Sequence, residues 1–145
     1  MPRFLQPGLP SLGNYTELSL EMSEDRARDA VDQFILDEIE SVPHLEALLL
    51  LWNSRPKQWT LEEMAHALYI SLEATQGILQ DLKQRGFVTV DAYHYNFDPG
   101  FHEISLIAEL DLLYRRDLIR ISRMIHSKAS PAIREFARAF KLKKD

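Results

Sequence analysis

Apolar residues recur at helical spacing along most of this 145-residue chain, and one short region breaks that period with alternating β-branched and aromatic residues. Ala27, Ala30/Val31, Phe34/Ile35 and Ile39 define a first helix over residues 23–42. Ser23 is its candidate N-cap, with Glu24 and Asp25 suited to the positive end of the helix dipole. Pro43 disfavours helical geometry at Val42 and is itself acceptable in a first turn, so one helix ends there and another begins. That second helix, "PHLEALLLLWNSR", has unbroken leucines from Leu48 to Leu51 and so predicts burial on most sides rather than along one stripe.

"NSRPKQW" ends the second helix and introduces a short extended piece finishing at Trp59. Thr60 to Glu63 has the capping-box pattern and opens a helix whose inner face is Leu61, Met64/Ala65 and Leu68, ending near Tyr69–Ile70. Ser71 is the N-cap candidate of the next helix, with Ala74/Thr75, Ile78/Leu79 and Leu82 inward, and Gly86 marks its end. "FVTVD" and "YHYNFD" around Ala92 read as a β-hairpin. From Phe101 to His126 a seam of Ile107, Leu110, Tyr114, Leu118, Ile121 and Ile125 predicts one long helix, about 39 Å at 1.5 Å per residue. Such a length exceeds what a small domain needs, and Leu106, Leu112, Leu113, Ile119 and Met124 widen the apolar face, which points to a homodimer. Ser130-Pro131 opens a last helix before the basic tail with Lys141, Lys143 and Lys144. Residues 1–22, with three prolines and two glycines and no period, read as an extended arm.

The fold class is therefore mainly α: a winged helix-turn-helix domain over 43–100, between an N-terminal helix at 23–42 and a C-terminal part at 101–145. Residues 43–99 resemble the MarR-like bacterial winged-helix regulators, and "LQDLKQRGFV" is similar to the end of their recognition helix and the first wing strand. The resemblance implies a DNA-binding transcription regulator, dimeric through its terminal helices. One departure stands out, because the wing "TVDAYHYNFDP" has no Arg or Lys, where that family usually carries a minor-groove arginine.

Charge bears directly on this expectation. The chain is net −5, distributed as −6 over residues 1–42, −3 over 43–100 and +4 over 101–145. Affinity for duplex DNA comes mainly from phosphate neutralisation, so a winged domain of net −3 has a thin electrostatic footprint. Base reading itself is chemically available: Gln pairs with adenine and Glu accepts from cytosine. In the DNA-binding reading Ser71, Glu73, Gln76 and Gln80 face bases, Lys83, Arg85, Arg55 and Lys57 meet phosphates, and the hairpin at 88–97 is the wing. The alternative is a winged-helix protein–protein interaction module that docks through its acidic surface with little or no DNA binding. Arg116, Arg120 and Arg123 share one side of the long helix, as a phosphate-binding stripe or as a solvent-facing or dimer-crossing stripe paired with acids such as Asp117 or the acidic helix at 24–40.

Other chemistry is sparse. The absence of cysteine excludes disulfides, thiolate catalysis and Cys-based metal sites. No nucleophile elbow, P-loop, dinucleotide fingerprint or kinase signature occurs, so no enzyme activity is expected. His94, His102 and Glu103, with Asp91 and Asp98, are the one local group of ligand-type residues, while His44, His66 and His126 stand isolated along the chain; no metal or other cofactor is assigned. Trp52, Trp59, Tyr69, Tyr93 and Phe97 could wall a small-molecule pocket, though Trp52 and Trp59 read first as core. No apolar run reaches the roughly 18 residues of a membrane span and the N-terminus lacks a secretory pattern, so a cytoplasmic location with no membrane partner is expected.

Overall fold

The computed structural model describes residues 10–98, 100 and 103–129. Their order is α1 (Pro10–Glu38), α2 (Val42–Asn53), α3 (Leu61–Leu68), α4 (Leu72–Gln84), β1 (Val88–Asp91), β2 (His94–Phe97), α5 (Ile104–Arg116) and α6 (Leu118–Ala129). Helices α2, α3 and α4 followed by an antiparallel hairpin make the winged helix-turn-helix expected over 43–100.

Local signals set the boundaries of this domain. Ser41 caps α2 by accepting the His44 amide, and Pro43 sits in the first turn. At α3 both halves of the capping box are made, the Glu63 amide to Thr60 Oγ1 at 3.1 Å and the Thr60 amide to Glu63 Oε1 at 2.9 Å. The second of these bonds is the main reason that the Glu63 carboxyl is held below its ordinary pKa. Ser71 caps α4 by accepting the Ala74 amide. Gly86 takes φ +86°, the left-handed geometry that ends a helix.

Helix α2 is the centre of the core. Leu45, Ala47, Leu48, Leu49, Leu51 and Trp52 are all buried, as the leucine run predicts. Around it close Val31, Phe34, Ile35 and Ile39 of α1, Met64 of α3, Ile78, Leu79 and Leu82 of α4, Phe97 of β2, Ile107, Leu110 and Leu113 of α5, and Ile121 and Ile125 of α6. Phe34 meets Phe87 edge-on at 5.5 Å and Trp52 meets Phe97 at 5.3 Å, favourable quadrupole geometries.

The hairpin pairs Val88 with Phe97 and Asp91 with His94. Its root is widened by a bridge between Trp59 and Tyr95, whose amides and carbonyls exchange bonds of 2.9 and 2.7 Å. The extended piece expected before Trp59 thus lies beside β2.

Several expectations are corrected. Residues 10–22 belong to α1 rather than to an extended arm, and Ser23 is inside the helix instead of capping it. Pro10 is the first residue of α1, where its missing amide would have had no intrahelical partner anyway, so this proline opens a helix. The single helix expected over 101–126 is two, broken at Asp117. The Asp117 amide closes α5 on Leu113 and its carbonyl accepts Ile121 in the first turn of α6. The break carries Arg120 onto Asp32 of α1, with bonds of 3.0 to 3.2 Å, and leaves Leu118 exposed rather than in the seam. Ala74 is also exposed, so the inward edge of α4 is Thr75, Ile78, Leu79 and Leu82. The expected last helix after Ser130 and the basic tail lie outside the described residues, as do residues 1–9.

The hairpin turn carries backbone strain. Ala92 and Tyr93 hold φ of +46° and +71°, a pair of left-handed residues that two-residue hairpins normally fill with Asn-Gly. Replacing both, Ala92→Asn with Tyr93→Gly, is expected to stabilise the fold by about 1–2 kcal/mol in urea unfolding.

Candidate nucleic-acid interface

Helix α4 has two chemically distinct edges. The inner edge is locked by Ile78, Leu79 and Leu82 and by Thr75, whose buried hydroxyl donates to the Ser71 carbonyl at 2.8 Å. On the outer edge Glu73, Gln76, Gly77, Gln80, Lys83 and Gln84 are exposed. Gln76, Gln80, Lys83 and Gln84 share a groove with Val90 and Tyr95, which face each other across the hairpin. Helix α4 and the hairpin thus form the two walls of one channel.

The site residues expected from sequence fall into two groups. Ser71, Glu73, Gln76, Gln80 and Lys83 all lie on the exposed side of α4 or at its N-terminus. Arg55, Lys57 and Arg85 are placed elsewhere. Arg55 and Lys57 line a hollow with Asn96, Phe97 and Ile104. Asn96 follows Tyr95 in the strand and so points to the opposite face of the hairpin from the channel. Arg55 is held there, its guanidinium 3.4 Å from the centre of the Trp52 ring and its Nε donating to the Trp52 carbonyl at 2.7 Å. The Lys57 ammonium sits 3.9 Å over Trp59. Arg85, at the C-terminal end of α4, donates to Glu38 at 3.2 Å and to the Asp37 carbonyl at 3.3 Å, which anchors α4 to α1.

Gly77 belongs to the exposed edge of α4. It lies in mid-helix on the exposed edge, and a Cβ built on it would meet no atom within 4 Å. No intramolecular packing requires glycine there, although glycine weakens a helix interior.

The aromatic residues separate in the same way. Trp52 and Phe97 are buried, whereas Tyr69 and Tyr93 are 92% and 88% exposed. Tyr69 ends α3 in the left-handed conformation, φ +58°, in the turn leading to α4, and Tyr93 is at the tip of the wing. These five aromatics therefore do not wall a common pocket. Of the arginines on the C-terminal helices, Arg120 pairs with Asp32 and approaches Asp117 at 3.8 Å, as anticipated from their charge pattern.

No family model and no curated protein matches the chain. Solved structures do resemble it. MepR, a transcription regulator of the Staphylococcus aureus multidrug efflux pump MepA, is 15% identical over 90% of this chain and 95% of its own, with a TM-score of 0.49. A MarR family protein of Mycobacterium tuberculosis is 15% identical over 88% and 92%, with a TM-score of 0.43. A MarR family protein from Bacillus stearothermophilus is 15% identical over 92% and 93%, with a TM-score of 0.45. At this degree of likeness the winged-helix assignment rests on the element order and hairpin register described above.

Gly77→Ala is expected to raise stability by about 0.5–1 kcal/mol in urea unfolding, because only helix propensity changes. Gln76→Ala and Gln80→Ala should each stay within about 0.5 kcal/mol of the parent, while Leu79→Ala should lose about 2–5 kcal/mol.

Proposed function

We propose that the protein is a DNA-binding transcriptional regulator that inserts α4 into the major groove. The observation that carries this reading is the exposed edge Glu73–Gln76–Gly77–Gln80–Lys83 beside the wing. Its Gln and Glu side chains suit base edges, and Gly77 permits close approach of the helix backbone. Ser71 presents the N-terminal end of α4, where amide donors suit a phosphate. Lys83 is the cation of the channel, with Lys57 beside the wing root. Arg55 and Arg85 contribute to phosphate binding only on leaving Trp52 and Glu38.

The exposed apolar residues of the terminal helices, Leu36, Leu112, Leu118 and Ile119, support a homodimer. Two copies would present two α4 helices to successive major grooves, about 34 Å apart. No described helix is long and apolar enough to cross a membrane, in keeping with a cytoplasmic regulator.

A second reading is supported by the exposed tyrosines. Tyr69, Leu72 and Tyr93 are apolar bodies at the N-terminal end of α4 and the wing tip, on a domain of net −3, as suits a protein-interaction module with a basic partner.

Titration of duplex DNA, random and upstream genomic, at several salt concentrations separates the two. Two available cations per protomer give a slope of about −2 in log K against log salt per protomer. Lys83→Ala should reduce that slope by about 1, and Gly77→Ala should weaken binding while stabilising the fold. Absence of any salt-dependent binding at low salt would sink the regulator reading and leave the protein-interaction reading. For the dimer, light scattering should give twice the chain mass and Ile119→Asp should lower it; a monomeric mass for the parent refutes dimerisation.

A further inference from the structure

The histidine that stands alone in the sequence does not stand alone in space. His44 Nε2 lies 2.8 Å from Asp81 Oδ2 and 3.8 Å from Glu40 Oε2, and one ligand atom from each of the three residues falls within 4.8 Å of the others. We propose that Glu40, His44 and Asp81 bind a divalent transition cation of the zinc class.

Three features of the cluster support this. First, the ring is oriented. His44 Nδ1 lies 2.6 Å from Ser41 Oγ, and its side chain is only 12% exposed. A hydrogen bond at one ring nitrogen that directs the other outward is the usual support of a metal-binding histidine. Second, the spacing is close to that needed. Tetrahedral bonds of about 2.0–2.1 Å place ligand atoms about 3.3 Å apart, between the two distances observed. The carboxylates of Asp81 and Glu40 are 41% and 52% exposed and have room to close on a cation, while the imidazole stays fixed. Third, the charges match. Among the described residues, no Lys or Arg lies within 4 Å of either carboxylate as an ion-pair partner, so two anions converge on one imidazole. A dication neutralises both. Imidazole favours zinc, cobalt or nickel over magnesium or calcium, and three protein ligands leave a fourth position for water.

The ligands come from three segments: Glu40 precedes α2, His44 is in its first turn, and Asp81 is on α4. A cation bound there ties α4 to the junction of α1 and α2. Any effect of this tie on nucleic-acid binding rests on the proposed function, whereas the site itself does not.

The test is zinc chloride titrated by calorimetry into the full chain after treatment with EDTA. One saturable site per chain is expected, with a rise in melting temperature that EDTA reverses and visible d–d absorption when cobalt replaces zinc. His44→Ala should abolish the site, and Glu40→Gln, at a half-exposed position that leaves the fold intact, should weaken it about tenfold. No saturable heat in the parent, or unchanged affinity in both His44→Ala and Asp81→Asn, overturns the proposal. Metal binding without DNA binding at any salt concentration would instead remove the regulator reading and leave the site standing.

Discussion

A helix that is apolar on almost every side must be enclosed, and α2 imposes that requirement on the whole chain. Leu45, Leu48 and Leu51 are essentially inaccessible, each contributing about 2 kcal/mol by leaving water. No single neighbour can cover such a helix. The α3, α4, α5 and α6 helices and the hairpin each turn an apolar edge towards it, α1 closes the same core against α5 and α6, and their remaining edges are what the protein presents to its surroundings. The polar outer edge of α4 is exposed because its Ile78–Leu79–Leu82 edge is committed to the core with α2.

Polar contacts at the rim then fix how the enclosing helices sit. Asn53, at the end of α2, donates to Asp111 of α5 at 3.1 Å and accepts from Arg115 at 3.0 Å, while Arg115 also pairs with Asp111. Lys128 of α6 donates to the Ile35 and Ile39 carbonyls at the end of α1, where a cation suits the negative end of the helix dipole. Burial, and then the charge of Arg85, lowers the pKa of that ammonium. Tyr114 is displaced upwards, by burial and then by the Glu46 carboxylate 3.5 Å away.

What the sequence made legible was whatever depends on neighbours within a turn or two. The Ser71 cap, the Thr60–Glu63 box, Gly86 and the hairpin are local, and each is found where its residues predict it, whereas the break expected at Val42–Pro43 falls earlier, between Glu38 and Val42. Partners distant in sequence were not legible. His44 and Asp81 are 37 residues apart, and Arg85 and Glu38 are 47. Periodicity says which face of a helix is buried but not which charged residue of another helix it meets. Arg85 therefore read as free to meet phosphate, and His44 as isolated. The break at Asp117 escaped notice because the apolar period continues through it, and Pro10 read as a breaker although the same residue can begin a helix.

The root of the wing has a further consequence. The chain has two tryptophans, and both stand there: Trp52 against Phe97 and under Arg55, and Trp59 bridged to Tyr95 with its indole N–H donated to Ser54 Oγ at 2.8 Å. Each ring has a cationic side chain over its face. The intrinsic tryptophan fluorescence of the protein therefore originates in the joint between the hairpin and the core. A shift of the wing alters the field and solvent around those rings, so the molecule carries its own optical reporter of wing position.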